Sequence, residues 1–597
     1  MSAGAATVGA AAAPWRARRR CVWPAALVVL ASVAAGLAGA ALIGFLVHGV
    51  RSGPLDWVEL LTSPTWDPGR GAFGAAAMIF GTLAVSAIAV GLATPLGWAS
   101  AVAISELVAP RRCRLLRGGV ELLAAVPSIV YGLVGVALVR PLVSDLTGSP
   151  GGDSLLAAGL VLAVMVLPTV VAVSVDALDG VPRATREAAA ALGLTRAEVV
   201  RSAVLPVARP GMRAAVLLGL ARALGETIAV FLVIGRADGR LPSPAGALAA
   251  LASPGQSLTT KLGGPEPVLA GTSGAHWSAL NALGLLLLMT VAGATVVALR
   301  SAGRRGARGQ ARTPRASRFR QGRDRLAAGA RRSALAVPLL LMTGLVGVVA
   351  VRGSAALDPG FWTAAASGAA GGGVRDQILG TAVLVAAAGV IATPVSLGLG
   401  LLIAEYAGPR TSTWLRTATV TLGGVPSILL GLAGYRLLST GLGWGKSWLA
   451  GAMVLAVVVV PVAALATAAR LDALDPVRRE SALALGLERG QLTRSVLLPQ
   501  AGPGLVTGVL LGLARAAGET APLLFTATVF SGAMPLPTGV VDTPVVALPT
   551  HLFTLSQDAS EPGALQAAWG SALVLVVVAG LLLLAAVSAR RRLGANP

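Results

Sequence analysis

Twelve long apolar runs constrain this chain more than any other feature of its sequence. A helix of about 20 apolar residues is long enough to cross the hydrocarbon core of a bilayer, and runs of that kind recur along all 597 residues. Only 12% of the residues are charged, which is about half the share in soluble domains. The missing polar surface excludes a soluble multidomain enzyme, and we expect an all-α polytopic membrane protein.

The twelve predicted spans form two sets of six. The first set covers residues 24–48, 76–104, 119–140, 156–176, 213–235 and 278–299. The second set covers residues 334–351, 377–404, 417–439, 449–469, 505–530 and 567–588. The first run follows WRARRR at 15–20 as a signal peptide would, but it is longer than a signal sequence and lacks a clear cleavage site. We therefore expect it to remain as a span.

Arginine is unevenly distributed between the loops, and this predicts the orientation of the chain. Four regions are rich in arginine, namely the N-terminus and residues 105–118, 177–212 and 300–333. Loops 51–72, 141–155 and 236–276 carry few basic residues and several acids. Since basic loops remain on the cytoplasmic side, both termini are predicted to be cytoplasmic in a multi-pass protein of the cell membrane. The net charge of +22 is explained by this loop pattern and does not indicate a nucleic-acid partner.

The two halves of the chain are copies of one another. GTLAVSAIAVGLATPLG (81–97) aligns with GTAVLVAAAGVIATPVSLG (380–398), and VPSIVYGLVG (126–135) with VPSILLGLAG (425–434), at an offset of 299 residues. Further along the offset is 293 residues and pairs Pro168 with Pro461, Glu187 with Glu480, and Arg222 with Arg515. Two halves with parallel orientation are related by an axis along the membrane normal, and we expect a translocation path at the interface between them.

These patterns divide the chain into five parts. They are a cytoplasmic tail (1–22), a first membrane half (23–300), an Arg-rich cytoplasmic linker (301–333), a second membrane half (334–590) and a short cytoplasmic tail (591–597). Glycine, serine and proline interrupt the arginines of the linker. This composition favours a disordered connection over a docking or lipid-binding segment.

An unusual loop separates the fourth and fifth predicted spans of each half. The first loop reads DALDGVPRATREAAAALGLTRAEVVRSAVLPVARPG (176–211), and the second reads DALDPVRRESALALGLERGQLTRSVLLPQAGPG (472–504). Pro182 and Pro476 suit the start of a helix, while Gly193 and Gly486 suit a break between two helices. Each loop is therefore predicted to be a helix–Gly–helix projection.

Both loops resemble the EAA loop of ABC-importer permeases. The residues that carry the resemblance are Glu187, Ala188, Ala189 and Gly193 in the first loop, and Glu480, Ser481, Ala482 and Gly486 in the second. Ser481 departs from the family pattern. The resemblance implies that these loops are coupling helices that dock on a separate ATPase. The alternative is an amphipathic loop on the membrane surface, which two matched copies disfavour.

The chain itself has no sequence pattern for ATP hydrolysis. Gly445-Lys446-Ser447 lacks the upstream glycine of a phosphate-binding loop, because position 440 is Thr, and it falls in a predicted outer loop. The three histidines and two cysteines are scattered. We therefore predict a transporter component that is not an enzyme, with no catalytic residues, cofactor or metal.

Two pairs of charges occur inside the predicted spans, Arg222 with Glu226 and Arg515 with Glu519. Their i, i+4 spacing predicts that each pair shares one helix face. A charge at the centre of a bilayer costs about 2.5–3.5 kcal/mol on insertion scales, so such residues usually face a watery path or a partner. A structural ion pair is one interpretation. The other is a substrate path, in which two arginines grip an oxyanion while the glutamates moderate the field and accept a hydrogen bond from a protonated oxyanion.

Three features together resemble phosphate-uptake permeases. They are the segments Val126-Pro127-Ser128 and Gly424-Val425-Pro426-Ser427, the two EAA loops, and the RAxGET motifs at 222–227 and 515–520. Such permeases have two membrane components, and the first half resembles the C-type component and the second half the A-type component, fused into one chain. The resemblance implies the MetI-like fold of type I importers, two copies of a P-loop ATPase, an extracytoplasmic phosphate-binding protein, and inorganic phosphate as substrate in a lipid membrane. The alternatives are another oxyanion (sulfate, molybdate or phosphonate), an ion-coupled secondary transporter, and a membrane scaffold or sensor.

Overall fold

A computed structural model describes residues 23–593 except 107, 109, 240, 242–245, 272–273, 304–339, 342, 365, 368–370 and 530–535. The predicted tail 1–22, nearly all of the predicted linker 301–333, and residues 594–597 lie outside the described residues.

The described part of the first half contains fifteen helices. They are α1 (Trp23–Val50), α2 (Trp57–Thr62), α3 (Ala76–Glu106), α4 (Pro110–Ala124), α5 (Ser128–Val134), α6 (Arg140–Thr147), α7 (Leu155–Asp179), α8 (Arg183–Ala191), α9 (Arg196–Val199), α10 (Leu205–Gly225), α11 (Ile228–Phe231), α12 (Ala247–Leu251), α13 (Leu258–Leu262), α14 (Glu266–Leu269) and α15 (Ala275–Gly303). Wider helical turns at Gly135–Val139 and Val200–Val204 make α5–α6 and α9–α10 continuous.

The described part of the second half contains twelve helices. They are α16 (Thr343–Ser354), α17 (Pro359–Thr363), α18 (Arg375–Leu401), α19 (Pro409–Gly423), α20 (Ser427–Gly434), α21 (Trp448–Asp472), α22 (Pro476–Ala484), α23 (Arg489–Leu492), α24 (Leu498–Ala516), α25 (Ala521–Thr526), α26 (Leu548–Gln557) and α27 (Pro562–Arg592). Wider turns extend α18 over Leu402–Tyr406 and α20 over Tyr435–Gly441, and join α23 to α24 over Thr493–Leu497. Two antiparallel pairs of two-residue strands, Trp66–Asp67 with Ala72–Phe73 and Ala366–Ser367 with Gly371–Gly372, and short 3₁₀ turns at Pro68–Arg70 and Pro150–Gly152 complete the described elements.

The predicted all-α membrane architecture is confirmed. Among the described residues, ten helices are long and apolar enough to cross a membrane, and the pair α19–α20, bent by 86°, forms an eleventh crossing if it is counted as one span. The seventh predicted span, 334–351, begins outside the described residues, and its described part is the shorter apolar helix α16.

Four predicted spans were wrong in their continuity or extent. Spans 119–140 and 417–439 are each broken before α5 and α20, at Pro127 and Pro426, whose backbone is not helical (φ −58°, ψ 139° and φ −55°, ψ 127°). Proline lacks the N–H that a continuous helix needs and forces its predecessor away from helical geometry. Spans 213–235 and 505–530 end early, since α10 ends at Gly225 and α24 at Ala516.

The two halves repeat one another in structure down to single hydrogen bonds. Helix α3 packs along α7, and α18 packs along α21 in the same way. The hydroxyl of Thr82 on α3 accepts the backbone N–H of Leu258 at 2.9 Å, and that of Thr381 on α18 accepts the N–H of Leu548 at 2.9 Å. The short helices α13 and α26 are thereby held at equivalent places in the two halves.

A polar cluster braces the first half on the face opposite the two helix–Gly–helix loops. Lys261, whose side chain is only 2% exposed, lies with its Nζ 2.9 Å from Asp238 Oδ2 and 2.8 Å from Glu266 Oε1. Glu266 Oε2 lies 2.6 Å from His276 Nε2 and accepts the indole N–H of Trp66 at 3.3 Å. The cluster joins the strand pair after α2 to the start of α15 across four segments of the chain.

We expect Glu266→Gln to lower the stability of the protein in a pH-dependent way. Burial alone would raise the pKa of Glu266, but hydrogen bonds from Lys261, His276 and Trp66 outweigh it and lower that pKa below its ordinary value. The carboxylate therefore stabilises the fold above its unfolded pKa of about 4.3, and this stabilisation is lost as the pH falls through the lowered folded value.

Thermal unfolding in detergent checks this expectation. At pH 7 Glu266→Gln should cost about 2 kcal/mol, the value of a hydrogen bond to a charged group. The difference from wild type should shrink in acid. Glu59→Gln, which alters an exposed carboxylate on α2, is the control and should have little effect. Equal unfolding temperatures at pH 7 for Glu266→Gln and wild type would contradict the role of the cluster.

Candidate functional site: a charged cavity between the halves and two loops on one face

The Arg–Glu pairs do not share a helix face, so that prediction was wrong. Helix α10 ends at Gly225, and Glu226 follows with extended backbone (φ −73°, ψ 133°). Helix α24 ends at Ala516, and Glu519 lies beyond it. Glycine is a poor helix former, and in both halves the helix ends at or just before the glycine that separates the arginine from its glutamate. The GET triplets are therefore breaks at which the charges can face a common space.

That space is a cavity of about 660 Å³ between the two halves. Pro127, Ser128, Thr169, Arg222 and Glu226 line it from the first half, and Pro426, Ser427, Arg515, Glu519 and Thr520 line it from the second. The structure thus brings together all four charged residues that the sequence predicts for a substrate path. Their role in transport stays a prediction.

The two arginines have different surroundings. Arg222 Nη1 donates to the hydroxyl of Thr169 at 2.8 Å. Arg515 Nε lies 3.6 Å from Glu519 Oε1, and the Arg515 side chain is 49% exposed. The structure describes both Arg222 and Glu226 and records no ion pair between them. Glu226 Oε1 instead accepts the backbone N–H of Ala229 at 3.4 Å.

Each GET glycine packs on the proline that breaks a span of the other half. A Cβ placed on Gly518 would lie 2.7 Å from Pro127 Cβ, and a Cβ on Gly225 would lie 3.4 Å from Pro426 Cγ. Contacts under about 3 Å between carbon atoms are repulsive, because the optimum is about 3.5–4.0 Å. The two contacts are reciprocal across the repeat, and both border the cavity.

Both predicted helix–Gly–helix loops are confirmed. Helix α8 leads to Gly193 at φ +73°, and α22 leads to Gly486 at φ +80°, a left-handed conformation that favours glycine. Each glycine is followed by a second helix, α9 or α23. The equivalent Leu192 and Leu485 are 75% and 83% exposed.

The EAA-like residues divide by exposure in the same way in both loops. Glu187, Ala188, Glu480 and Ser481 are exposed, while Ala189 and Ala482 are buried against the rest of the fold. The exposed Leu192 and Leu485 add the same apolar side chain to each loop. The two loops therefore present matched surfaces on one face of the protein.

Two further arginines, which we did not predict from the sequence, fasten these loops to the membrane helices. Arg186 of α8 donates to the carbonyls of Leu178 and Val181 at 2.7 and 2.6 Å and to Glu106 of α3 at 3.1 Å. In the second loop, Arg479 donates to the carbonyl of Leu471 at 2.7 Å and lies 3.5 Å from Glu405.

We call the bonds of Arg186 and Arg479 the loop clamp. A second repeated ion pair lies beside the loop clamp but does not include the loop helices. Arg117 pairs with Asp179, and Arg416 Nη2 lies 2.7 Å from Asp472 Oδ2. The internal repeat matches Glu106 with Glu405. Their arginine partners in the clamp, Arg186 and Arg479, keep the same 293-residue offset as the loops, and this was the signal that could have found them.

The Gly445-Lys446-Ser447 segment has a structural use. Lys446 Nζ donates to the carbonyls of Leu524 and Thr528 at 3.0 and 3.1 Å, and the Ser447 hydroxyl caps the start of α21. Among the described residues, no group of three or more His, Cys, Asp and Glu side chains is arranged to hold a metal ion.

The duplicated membrane fold, the shared charged cavity and the paired loops on one face define a membrane transport protein. Comparison with known families is specific on this point. Residues 93–272 and 396–593 each match the family described as "Binding-protein-dependent transport system inner membrane component". Since these segments make up more than half of the sequence, the chain belongs to this family, and it is an ABC-importer permease of the binding-protein-dependent type.

Individual relatives agree with this family and are named for permeases. The chain is 39% identical to the probable ABC transporter permease protein YqgH of Bacillus subtilis over 217 residues, which cover 35% of this chain and 68% of the relative. It is 41% identical to the phosphate transport system permease protein PstC of Mesorhizobium japonicum over 199 residues (30% and 61%). It is also 41% identical to the phosphate transport system permease protein PstA 2 of Mycobacterium tuberculosis over 214 residues (36% and 70%). The resemblance to phosphate permeases seen in the sequence is confirmed.

In a transport protein, the two glycine–proline contacts predict alanine substitutions whose effects on the transport rate differ in size. Gly518→Ala should reduce the transport rate about tenfold or more, a loss of about 1.4 kcal/mol, because its methyl group would overlap Pro127 and displace the two halves. Gly225→Ala should have a smaller effect, because its methyl group meets Pro426 at near-contact distance. Uptake assays at matched membrane levels check this order. Equal rates in the two variants would contradict it.

Proposed function

We propose that this chain forms the membrane path of an ATP-driven importer for inorganic phosphate. The observation that carries the proposal is the cavity between the halves, into which the first half contributes Arg222 and Glu226 and the second half contributes Arg515, Glu519 and Arg590. Guanidinium groups bind oxyanions through directed, charge-assisted hydrogen bonds. Several relatives named as phosphate transport permeases support phosphate over other oxyanions.

The glutamates would give the cavity its selectivity. Two arginines alone would hold an anion tightly, and the nearby carboxylates weaken the positive field so that the anion can leave. Phosphate carries a proton at neutral pH and can donate a hydrogen bond to Glu226 or Glu519, whereas sulfate cannot. Desolvated carboxylates without a donor would repel sulfate.

Energy would come from separate subunits. The exposed residues of the two loops, Glu187 and Ala188 in one and Glu480 and Ser481 in the other, would dock on two copies of a P-loop ATPase in the cytoplasm, with both termini on that side. ATP-driven closure of the ATPases would swing the halves to face outward, and hydrolysis would return them. An extracytoplasmic phosphate-binding protein would deliver the anion to the opposite face.

The selectivity proposal is tested on the purified chain, without the binding protein, whose own selectivity would mask the effect. Bound labelled phosphate is displaced with unlabelled phosphate or sulfate. Glu226→Gln and Glu519→Gln should each reduce the preference for phosphate about tenfold, because an amide N–H can donate to sulfate; tenfold corresponds to about 1.4 kcal/mol. Glu59→Gln is the control. An unchanged preference in both variants would exclude this role, and a wild-type preference for sulfate would favour the other-oxyanion alternative.

A further inference from the structure

We propose that Thr169 is a positioning residue that makes Arg222 the fixed anion contact, while Arg515 is the contact that moves with the anion. The inference rests on the proposed function and deepens it. It begins from a difference between the two halves at the cavity.

Thr169 holds Arg222 by a direct hydrogen bond. The hydroxyl of Thr169 accepts Arg222 Nη1 at 2.8 Å, and both residues line the cavity. Thr169 lies on α7, which packs along α10, the helix that carries Arg222. A guanidinium has five N–H donors, so this bond fixes the group and still leaves donors for an anion.

The second half lacks this anchor. The 293-residue offset that pairs Pro168 with Pro461 and Arg222 with Arg515 also pairs Thr169 with Val462. Valine has nearly the shape of threonine but offers no hydroxyl. The Arg515 side chain is 49% exposed, and its recorded ion pair is the 3.6 Å contact with Glu519.

The asymmetry has a physical consequence for an importer. A side chain that is already fixed in its binding geometry loses little conformational entropy when the ligand arrives, and this strengthens binding. Two fixed arginines would bind the anion strongly but release it slowly. With one fixed and one unanchored arginine, the cavity can both bind and release the anion. Arg222 stays in its binding geometry, while Arg515 can leave the anion and pair with Glu519 as the halves move.

Three substitutions test this division of roles. Thr169→Val should weaken binding of labelled phosphate to the purified chain about tenfold, as expected for the loss of one hydrogen bond to a charged group. Thr169→Ser keeps the hydroxyl and should bind like wild type. Val462→Thr places a hydroxyl at the equivalent position of α21, the helix that packs along α24, and should lower the maximal uptake rate several-fold in the complete transporter without weakening phosphate binding.

These variants should fold, since each valine or threonine already occupies the equivalent position in the other half. Size-exclusion chromatography in detergent confirms this. Unchanged binding in Thr169→Val, equal losses in Thr169→Val and Thr169→Ser, or an undiminished uptake rate in Val462→Thr would each overturn the inference. Failure of the wild-type chain to bind phosphate would instead overturn the proposed function, so the two failures are distinguishable.

Discussion

Phosphate uptake should fall about 100-fold or more when Arg222 and Arg515 are both replaced by alanine, since truncating one partner of a buried charge contact costs about 2–5 kcal/mol. The double variant removes Arg222 and Arg515, so that the two carboxylates of Glu226 and Glu519 outnumber Arg590, the remaining cation of the cavity lining, and repel the anion. Each single variant should retain part of the activity. Arg222→Lys and Arg515→Lys should be intermediate, because an ammonium keeps the charge but cannot bind an oxyanion through a planar pair of donors.

The measurement is labelled-phosphate uptake by cells that lack other phosphate transporters, with permease levels matched by immunoblot. Arg591→Ala, which removes an exposed arginine from the end of α27, is the charge-matched control and should transport like wild type. Uptake by the double variant at more than about a third of the wild-type rate, less than a 1 kcal/mol change, would exclude the cavity as the phosphate path.

Loss of the loop clamps should separate ATP hydrolysis from transport. In Arg186→Ala together with Arg479→Ala, helices α8 and α22 lose their bonds to the ends of α7 and α21 and their pairing with Glu106 and Glu405. These contacts are partly buried, so we expect uptake to fall about tenfold or more, the result of losing about 1.4 kcal/mol of coupling. The exposed docking residues remain, so ATPase activity in the assembled complex should persist.

The clamp experiment has a matched control on the same face. Arg117→Ala with Arg416→Ala breaks the neighbouring ion pairs to Asp179 and Asp472, which do not include the loop helices. This control should keep hydrolysis and uptake coupled. Parallel losses of uptake and ATPase activity in the clamp variant would indicate a docking defect, and an equal effect in the control would indicate general destabilisation. Either result would contradict the proposal that the loop clamp couples ATP hydrolysis to transport.

The sequence predicted the membrane class, the repeat and the loops because each leaves a pattern that local chemistry dictates. Apolar runs predict spans since the bilayer tolerates few other structures. Gly193 and Gly486 predict helix breaks because their left-handed conformation favours glycine. These features depend on a residue and its immediate neighbours, so a single sequence contains them.

The broken spans could not be predicted in this way. Pro95, Pro168, Pro394 and Pro461 lie inside continuous helices, whereas Pro127 and Pro426 break theirs. The chemistry of proline is the same in all six places. Pro127 and Pro426 also meet Gly518 and Gly225 of the opposite half, a contact between distant parts of the chain that local sequence patterns do not contain.

The candidate site was predicted in its residues but not in its geometry. The i, i+4 spacing of Arg222 and Glu226 suggested one helix face, and the helix ends between them at Gly225. The difference between Thr169 and Val462 is visible in the sequence. It acquires meaning only once the structure shows that Thr169 contacts Arg222 and that both border the cavity.

Reconstituted transport tests the central claim most directly. The purified chain is placed in proteoliposomes with its ATPase partners and a phosphate-binding protein, and accumulation of labelled phosphate is followed with and without ATP. We predict accumulation only when ATP, the ATPase and the binding protein are all present, and its loss in the double arginine variant. Phosphate accumulation driven by an ion gradient without the ATPase would contradict the claim and would identify a secondary transporter.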